Sequence, residues 1–197
     1  MDVKRFFEDR FRRYGPGPES LDWSEEGQRR RFEILSEVGD MSGRSVLDLG
    51  SGFGDFYSYI ASLYRDVSYT GWELSEVFVR EAKKMHPTAV FEVRDVFKST
   101  IPRKFDFVVS SGLHNLETGT NDADMQSLLR KAWNAAKVAV AVNMLSIYAD
   151  RVDKGCHQYD PKRMLSVALK LTRYTILRHD YMPHDFTIYM YREPRGK

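Results

Sequence analysis

Apolar positions along this chain follow two rhythms, and the changes between them mark the elements. Val3, Phe7, Phe11 and Tyr14 recur at helical spacing, with Lys4, Arg5, Arg10, Arg12 and Arg13 largely around them. This predicts a short amphipathic helix over 2–14, and Gly15-Pro16-Gly17-Pro18 breaks it. Ser24, followed by Glu25 and Glu26, is an N-cap with acids in the first turn. A second helix is predicted from there to about Val38, stopped by Gly39 or Gly43. Short apolar runs follow at 46–50, 67–73, 89–93, 104–112 and 138–142, with helical patterns at 53–64, 76–86 and 122–136 between them. Ser75 caps the helix at 76–86 and Pro87 closes it, while Asn121 or Asp122 caps the one at 122–136. The run at 104–112 is continuously apolar, as a parallel strand buried on both faces is. Strands alternating with helices predict a parallel sheet. Asp160 and Pro161 open a last helix over 162–171, and 173–180 with 186–192 read as an antiparallel hairpin.

The most informative stretch is Val46-Leu47-Asp48-Leu49-Gly50-Ser51-Gly52-Phe53-Gly54-Asp55-Phe56. Strand, glycine turn and helix start form a nucleotide-binding turn, because glycine lets the backbone approach a ligand closely. The spacing is G-x-G-x-G. A dinucleotide fingerprint, G-x-G-x-x-G, would place its third glycine where Asp55 stands. A carboxylate beside that helix N-terminus suits a ligand without a pyrophosphate. Glu73 follows about 20 residues after the turn, the distance at which a second strand delivers an acid to ribose hydroxyls. An ionised carboxylate only accepts hydrogen bonds, and a ribose diol offers two donors.

Asp48-Leu49-Gly50-Ser51-Gly52-Phe53-Gly54 resembles the first motif, (D/E)-x-G-x-G-x-G, of the class I S-adenosylmethionine-dependent methyltransferases. The order of elements resembles that family from about residue 44 to 192. The likeness implies an α/β three-layer sandwich around a mostly parallel seven-stranded sheet with its last strand antiparallel, a Rossmann-like methyltransferase fold. Residues 1–43 would be N-terminal cover helices and 44–197 the cofactor-binding core of a single domain. It implies S-adenosylmethionine as cofactor and S-adenosylhomocysteine as product. Gly50, Gly52 and Gly54 would border the methionine moiety, Glu73 the ribose, and Asp95 and Val96 the adenine, with Asp48, Ser51 and Leu74 as further cofactor-binding residues. Ser111 belongs to the fourth motif, Ser-Gly-Leu-His-Asn, which the likeness places beside the transferred methyl. Arg31 is a candidate for the methionine carboxylate, since a guanidinium suits a planar acceptor. Equally, Arg29-Arg30-Arg31 is readable as a solvated helix face.

Three residues are candidates on the acceptor side. His114, with an ordinary pKa of roughly 6.5, can take a proton as the methyl arrives. Asn115 would orient substrate or cofactor, and Asn143 follows the strand at 138–142, where α/β folds open their crevice. His157 and Tyr159 lie in the polar loop 144–160, and long loops of this kind are often functional. The chain lacks Asn/Asp-Pro-Pro-Tyr, a mark of many enzymes that methylate exocyclic amino groups or glutamine, and the acidic ligands of the metal-dependent catechol type.

Composition narrows the partners. The formal net charge of +2 is too small to argue for nucleic acid. No apolar run approaches the roughly 18–20 residues that span a bilayer, and the N-terminal stretch lacks a signal-peptide core. Cys156 is the single cysteine and gives neither a disulfide nor a metal cluster. The chain therefore reads as a cytoplasmic methyltransferase that binds no metal. Its expected acceptor is an oxygen or nitrogen of a small molecule, in a biosynthetic pathway. A nucleic-acid or protein methyltransferase using the basic N-terminal helices, and a non-catalytic module of the same fold, stand as alternatives.

Overall fold

The computed structural model describes residues 2–151 and 153–195. Helix α1 (Val3–Tyr14) starts at Asp2, whose carboxylate accepts from the Arg5 N–H at 3.1 Å, and a 3-10 turn (Pro18–Leu21) follows. Helix α2 (Glu25–Ser36) is capped by Ser24, whose hydroxyl accepts from the Gly27 N–H. The core then alternates β1 (Ser45–Leu49), α3 (Asp55–Leu63), β2 (Ser68–Glu73), α4 (Glu76–Met85) and β3 (Val90–Val93). Next come β4 (Phe105–Ser111), α5 (Asn121–Ala135), β5 (Ala136–Leu145), α6 (Pro161–Leu169), β6 (Thr175–Arg178) and β7 (Asp185–Tyr191). The seven strands form one sheet in the order β3-β2-β1-β4-β5-β7-β6. Strands β1 to β5 pair in parallel, and β7 runs antiparallel to both β5 and β6.

Side-chain alternation splits the core between the two faces of the sheet. Leu47, Val108, Val140 and Ile188 pack under Leu128, Leu129 and Ala132 of α5 and Met164 of α6. Val46, Phe107, Ala139 and Tyr189 pack on Phe32 and Leu35 of α2, Phe56 and Ile60 of α3, and Val79 of α4. Helix α1 buries no residue fully and rests on the core through Phe11, 5.7 Å from Phe53 and 5.9 Å from Phe78. Among the described residues, no helix is long and apolar enough to cross a membrane.

Several boundaries differ from those the sequence predicts, and three of the shifts have a clear physical cause. Helix α3 begins at Asp55 rather than 53, because Gly52 and Gly54 both take positive φ (54° and 82°) and the helix cannot start before them. Strand β5 runs to Leu145 rather than 142, because β7 pairs with it from Ala139 to Leu145. Strand β6 is confined to Thr175–Arg178, the part that finds partners on β7.

Candidate active site

The C-terminal ends of the parallel strands open into a cavity of about 490 Å³. Val3, Lys4 and Phe7 of α1, with Leu21 and Trp23, line it from above, so the N-terminal segment is its roof. Gly50 and Gly52 line its floor after β1, Glu73 and Leu74 after β2, Asp95 and Val96 after β3, and Ser111, His114 and Asn115 after β4. Arg31 enters from α2, and Met182 and His184 from the loop before β7.

The glycine turn is built for close approach. A Cβ on Gly50, whose φ is 84°, would stand 2.7 Å from Leu113 Cδ1. Glu73 locks the turn: its Oε2 accepts from the Gly52 N–H at 3.1 Å and its Oε1 from the Ser75 N–H at 3.0 Å. Burial raises the Glu73 carboxyl above its ordinary value, while the N–H groups of Ser75 and Gly52 pull it back. Each carboxylate oxygen keeps a lone pair for a further donor.

Asp95 is fixed differently. Its Oδ1 accepts from the N–H groups of Phe97 (3.0 Å) and Lys98 (3.3 Å), and its Oδ2 lies 3.2 Å from Lys98 Nζ. Burial alone would raise its carboxyl, but Lys98 and these N–H groups outweigh it and hold the group below its usual range. Behind this loop, Lys131 of α5 donates to the carbonyls of Val96, Phe97 (3.0 Å) and Ser99 (2.9 Å). That clamp went unread in the sequence, where Lys131 is one charge among many on a helix.

His114 has φ 70°, a left-handed conformation that a non-glycine residue adopts only when its surroundings hold it. They do. Its carbonyl accepts from Asn121 Nδ2 at 2.9 Å and from the Tyr159 hydroxyl at 2.8 Å, and its ring packs 4.5 Å from that of Phe97. Nε2 lies 3.1 Å from Asp124 Oδ2, on the first turn of α5. With a carboxylate there, the tautomer bearing its proton on Nε2 is favoured and Nδ1 keeps the lone pair. Burial lowers the His114 pKa and Asp124 opposes that shift, leaving a ring that is neutral near pH 7. Ser111 Oγ and Asn115 Oδ1 are buried polar atoms with no hydrogen-bond partner among the described residues. Both belong to residues of the cavity wall, so they are suited to meet a ligand.

Other candidates lie elsewhere. Asp48 points into the α2–α4 face of the sheet, 4% exposed, and its Oδ2 accepts from the Tyr69 hydroxyl at 2.6 Å. Burial pushes its carboxyl up to about 7. Ser51 sits over Gly71, and Gly54 faces Phe91 and His86, so neither borders the cavity. Asp55 accepts from Gln28 Nε2 at 3.1 Å and ties α3 to α2. Asn143 does not face the crevice: the lengthened β5 takes it into the sheet opposite Thr187, where Nδ2 donates to the Tyr181 hydroxyl at 2.7 Å. His157 pairs with Glu117 at 2.8 Å and Tyr159 supports His114 from behind, so both brace the loop instead of lining the cavity. From that loop Arg151, Asp153 and Cys156 reach the wall. The ring of Trp23 covers Gly112, where a Cβ would stand 2.4 Å from it.

Known proteins share this frame. Residues 46–139 match a family described as "Methyltransferase domain". Over 77 residues the chain is 34% identical to protein 235L of Invertebrate iridescent virus 6, which carries the name of a methyltransferase. That segment is 39% of this chain and 29% of the viral protein, so the chain matches under a third of that relative's length. The structure of magnesium protoporphyrin IX methyltransferase (ChlM) from Synechocystis PCC 6803, solved with bound SAM, superposes with a TM-score of 0.69 at 17% identity. The superposition covers 97% of this chain and 95% of that one. An S-adenosylmethionine-dependent methyltransferase from Mesorhizobium loti gives a TM-score of 0.65 at 19% identity, covering 83% of this chain and 98% of its own. At these identities the structural likeness is one of fold.

Proposed function

We propose that the chain is a class I, S-adenosylmethionine-dependent methyltransferase and that it methylates an oxygen or nitrogen of a small molecule in a biosynthetic pathway. The observation that carries this reading is the cavity itself. It is roofed by α1 and the 3-10 turn, and its 490 Å³ falls within the usual range for small-molecule sites. The Synechocystis relative, whose name gives magnesium protoporphyrin IX as what it acts on, supports a small-molecule acceptor. A chain with one free cysteine also fits a cytoplasmic setting.

The donor set suits the cofactor. Glu73 would accept from the ribose hydroxyls, Asp95 from the adenine amine, and Gly50 and Gly52 would let the methionine end lie against the backbone. When bound, S-adenosylmethionine supplies an electrophilic methyl group on a sulfonium. What remains for the protein is to orient the acceptor, exclude water and remove a proton. Ser111 Oγ and Asn115 Oδ1 supply orienting hydrogen bonds, and the roof keeps water out. His114 Nδ1 takes the acceptor's proton as its oxygen or nitrogen gains the methyl group, with Asp124 holding the ring.

The test uses cofactor labelled on its methyl carbon, incubated with the protein and separate small-molecule, RNA and protein fractions. Label is expected in the small-molecule fraction, and His114→Gln is expected to slow its appearance by about 10²–10⁴-fold. Label confined to RNA or protein would overturn the reading.

A further inference from the structure

Arg31 and Asp185 form an ion pair, Nε to Oδ2 at 2.6 Å, with side chains 8% and 0% exposed. Taking two charges out of water is costly, and such pairs are often no more stable than apolar replacements, so their presence asks for a use. Arg29 and Arg30, beside Arg31 on α2, instead lie exposed and pair with Glu33. The Arg31 guanidinium lies over the Trp23 ring, 4.8 Å from its centroid. Asp185 holds the Nε side. The terminal nitrogens have no acceptor among the described residues, and Arg31 is part of the cavity wall.

Position decides what those nitrogens serve. Asp185 begins β7, opposite Leu145 at the end of β5, and Trp23 covers Gly112 just after β4. The pair therefore stands over the β4–β5–β7 end of the cavity. Strand β7 is three places from β1 in the sheet, about 14 Å at ordinary strand spacing. Gly50 and Gly52, Glu73 and Asp95 follow β1, β2 and β3, on the other side of β4. A cofactor laid along that side places its reactive end toward β4 and leaves the β5–β7 end to the molecule being methylated.

A guanidinium that offers two terminal nitrogens as a fork is matched by a carboxylate. We propose that Arg31, held by Asp185 and stacked on Trp23, receives a carboxylate of the methyl acceptor, which makes the acceptor an organic acid. Asp185 already balances the charge, so recognition runs through directed N–H bonds rather than net positive potential. The inference rests on the methyltransferase reading above. The methionine end of the cofactor also carries a carboxylate, the partner expected for Arg31 from sequence, and the experiment separates the two sources.

Wild type, Arg31→Gln and Arg31→Lys are titrated with S-adenosylhomocysteine and with 5′-methylthioadenosine, which lacks the carboxylate. Benzoate and acetate are then titrated into each S-adenosylhomocysteine complex and followed by NMR. The expected result is S-adenosylhomocysteine affinity within about twofold across the three proteins. At least one acid should bind the wild-type complex and lose about tenfold or more in both variants. Arg31→Lys keeps the charge without the fork, and it decides the question if Arg31→Gln fails to fold. Loss of S-adenosylhomocysteine affinity with methylthioadenosine binding unchanged would assign the carboxylate to the cofactor and overturn the proposal. So would acids that fail to bind the wild-type complex, or that bind the variants equally well. Failure of wild type to bind S-adenosylhomocysteine at all would instead strike the methyltransferase reading itself.

Discussion

Replacing Glu73 by glutamine isolates one contact in the cofactor site while leaving its shape almost unchanged. In the wild type the two carboxylate oxygens accept from Gly52 N–H and Ser75 N–H, at 3.1 and 3.0 Å, and each has capacity for a ribose hydroxyl. An amide keeps one oxygen and turns the other into a donor, which then faces an N–H and cannot accept from the ribose. At least one hydrogen bond to a charged acceptor is lost, about 1.5–3 kcal/mol. That corresponds to a Kd for S-adenosylhomocysteine weaker by about 10–150-fold. The same amide nitrogen leaves one N–H of the turn without its acceptor, which costs about 1–3 kcal/mol of fold stability, and relief of the buried charge offsets part of that loss. The assay is calorimetric titration paired with thermal unfolding of the ligand-free proteins. A Kd changed less than about threefold would refute the ribose assignment. Thermal unfolding reads the turn separately, and an unchanged melting temperature would contradict its lock by Glu73.

Asp48 gives a pH prediction. Its folded pKa of about 7 lies above the ordinary 3.8, so between about pH 4 and 7 the folded state binds more protons and stability falls as pH rises. Asp48→Asn keeps an acceptor for the Tyr69 hydroxyl, should flatten that slope in urea unfolding, and at pH 8 should gain up to about 4 kcal/mol; equal slopes in both proteins would contradict this. Gly54→Ala places a Cβ 2.6 Å from Phe91 Cζ at φ 82°. Left-handed strain of about 1–2 kcal/mol and overpacking of about 1–3 should together lower stability by about 2–5 kcal/mol in urea unfolding, and a loss under about 1 would refute it. Lys131→Met removes the donor to three carbonyls of the 96–99 loop. It should weaken S-adenosylhomocysteine about 5–30-fold and speed hydrogen exchange there, and no change in either would remove Lys131 from the account.

The parallel core was legible because its strands are short apolar runs separated by helical patterns, and the glycine turn marks where β1 ends. Glu73 was singled out by its distance along the chain from that turn, Asp95 and Val96 by the family resemblance alone, and all three line the cavity. What escaped depends on pairing between distant segments. Asn143 looked like a strand end until β7 extended β5 past it. Asp48, Ser51 and Gly54 sit within the motif, yet strand alternation and the course of the turn send them away from the cavity toward Tyr69, Gly71 and Phe91. Arg31 and Asp185 come from opposite ends of the chain, and no local pattern announces that they meet. The loop 144–160 has no periodicity to read. Its position follows from contacts such as the His157 N–H to the Asn115 carbonyl at 2.7 Å, which fold it back beside β4 and leave His157 itself outside the cavity.

The most direct test is the crystal structure of the protein with S-adenosylhomocysteine bound. The adenine is expected beside Asp95 and Val96, the ribose hydroxyls on Glu73, the sulfur toward Ser111 and His114, and open space between that sulfur and Arg31. A ligand bound outside this cavity, or one that fills it with its ribose away from Glu73, would contradict the account.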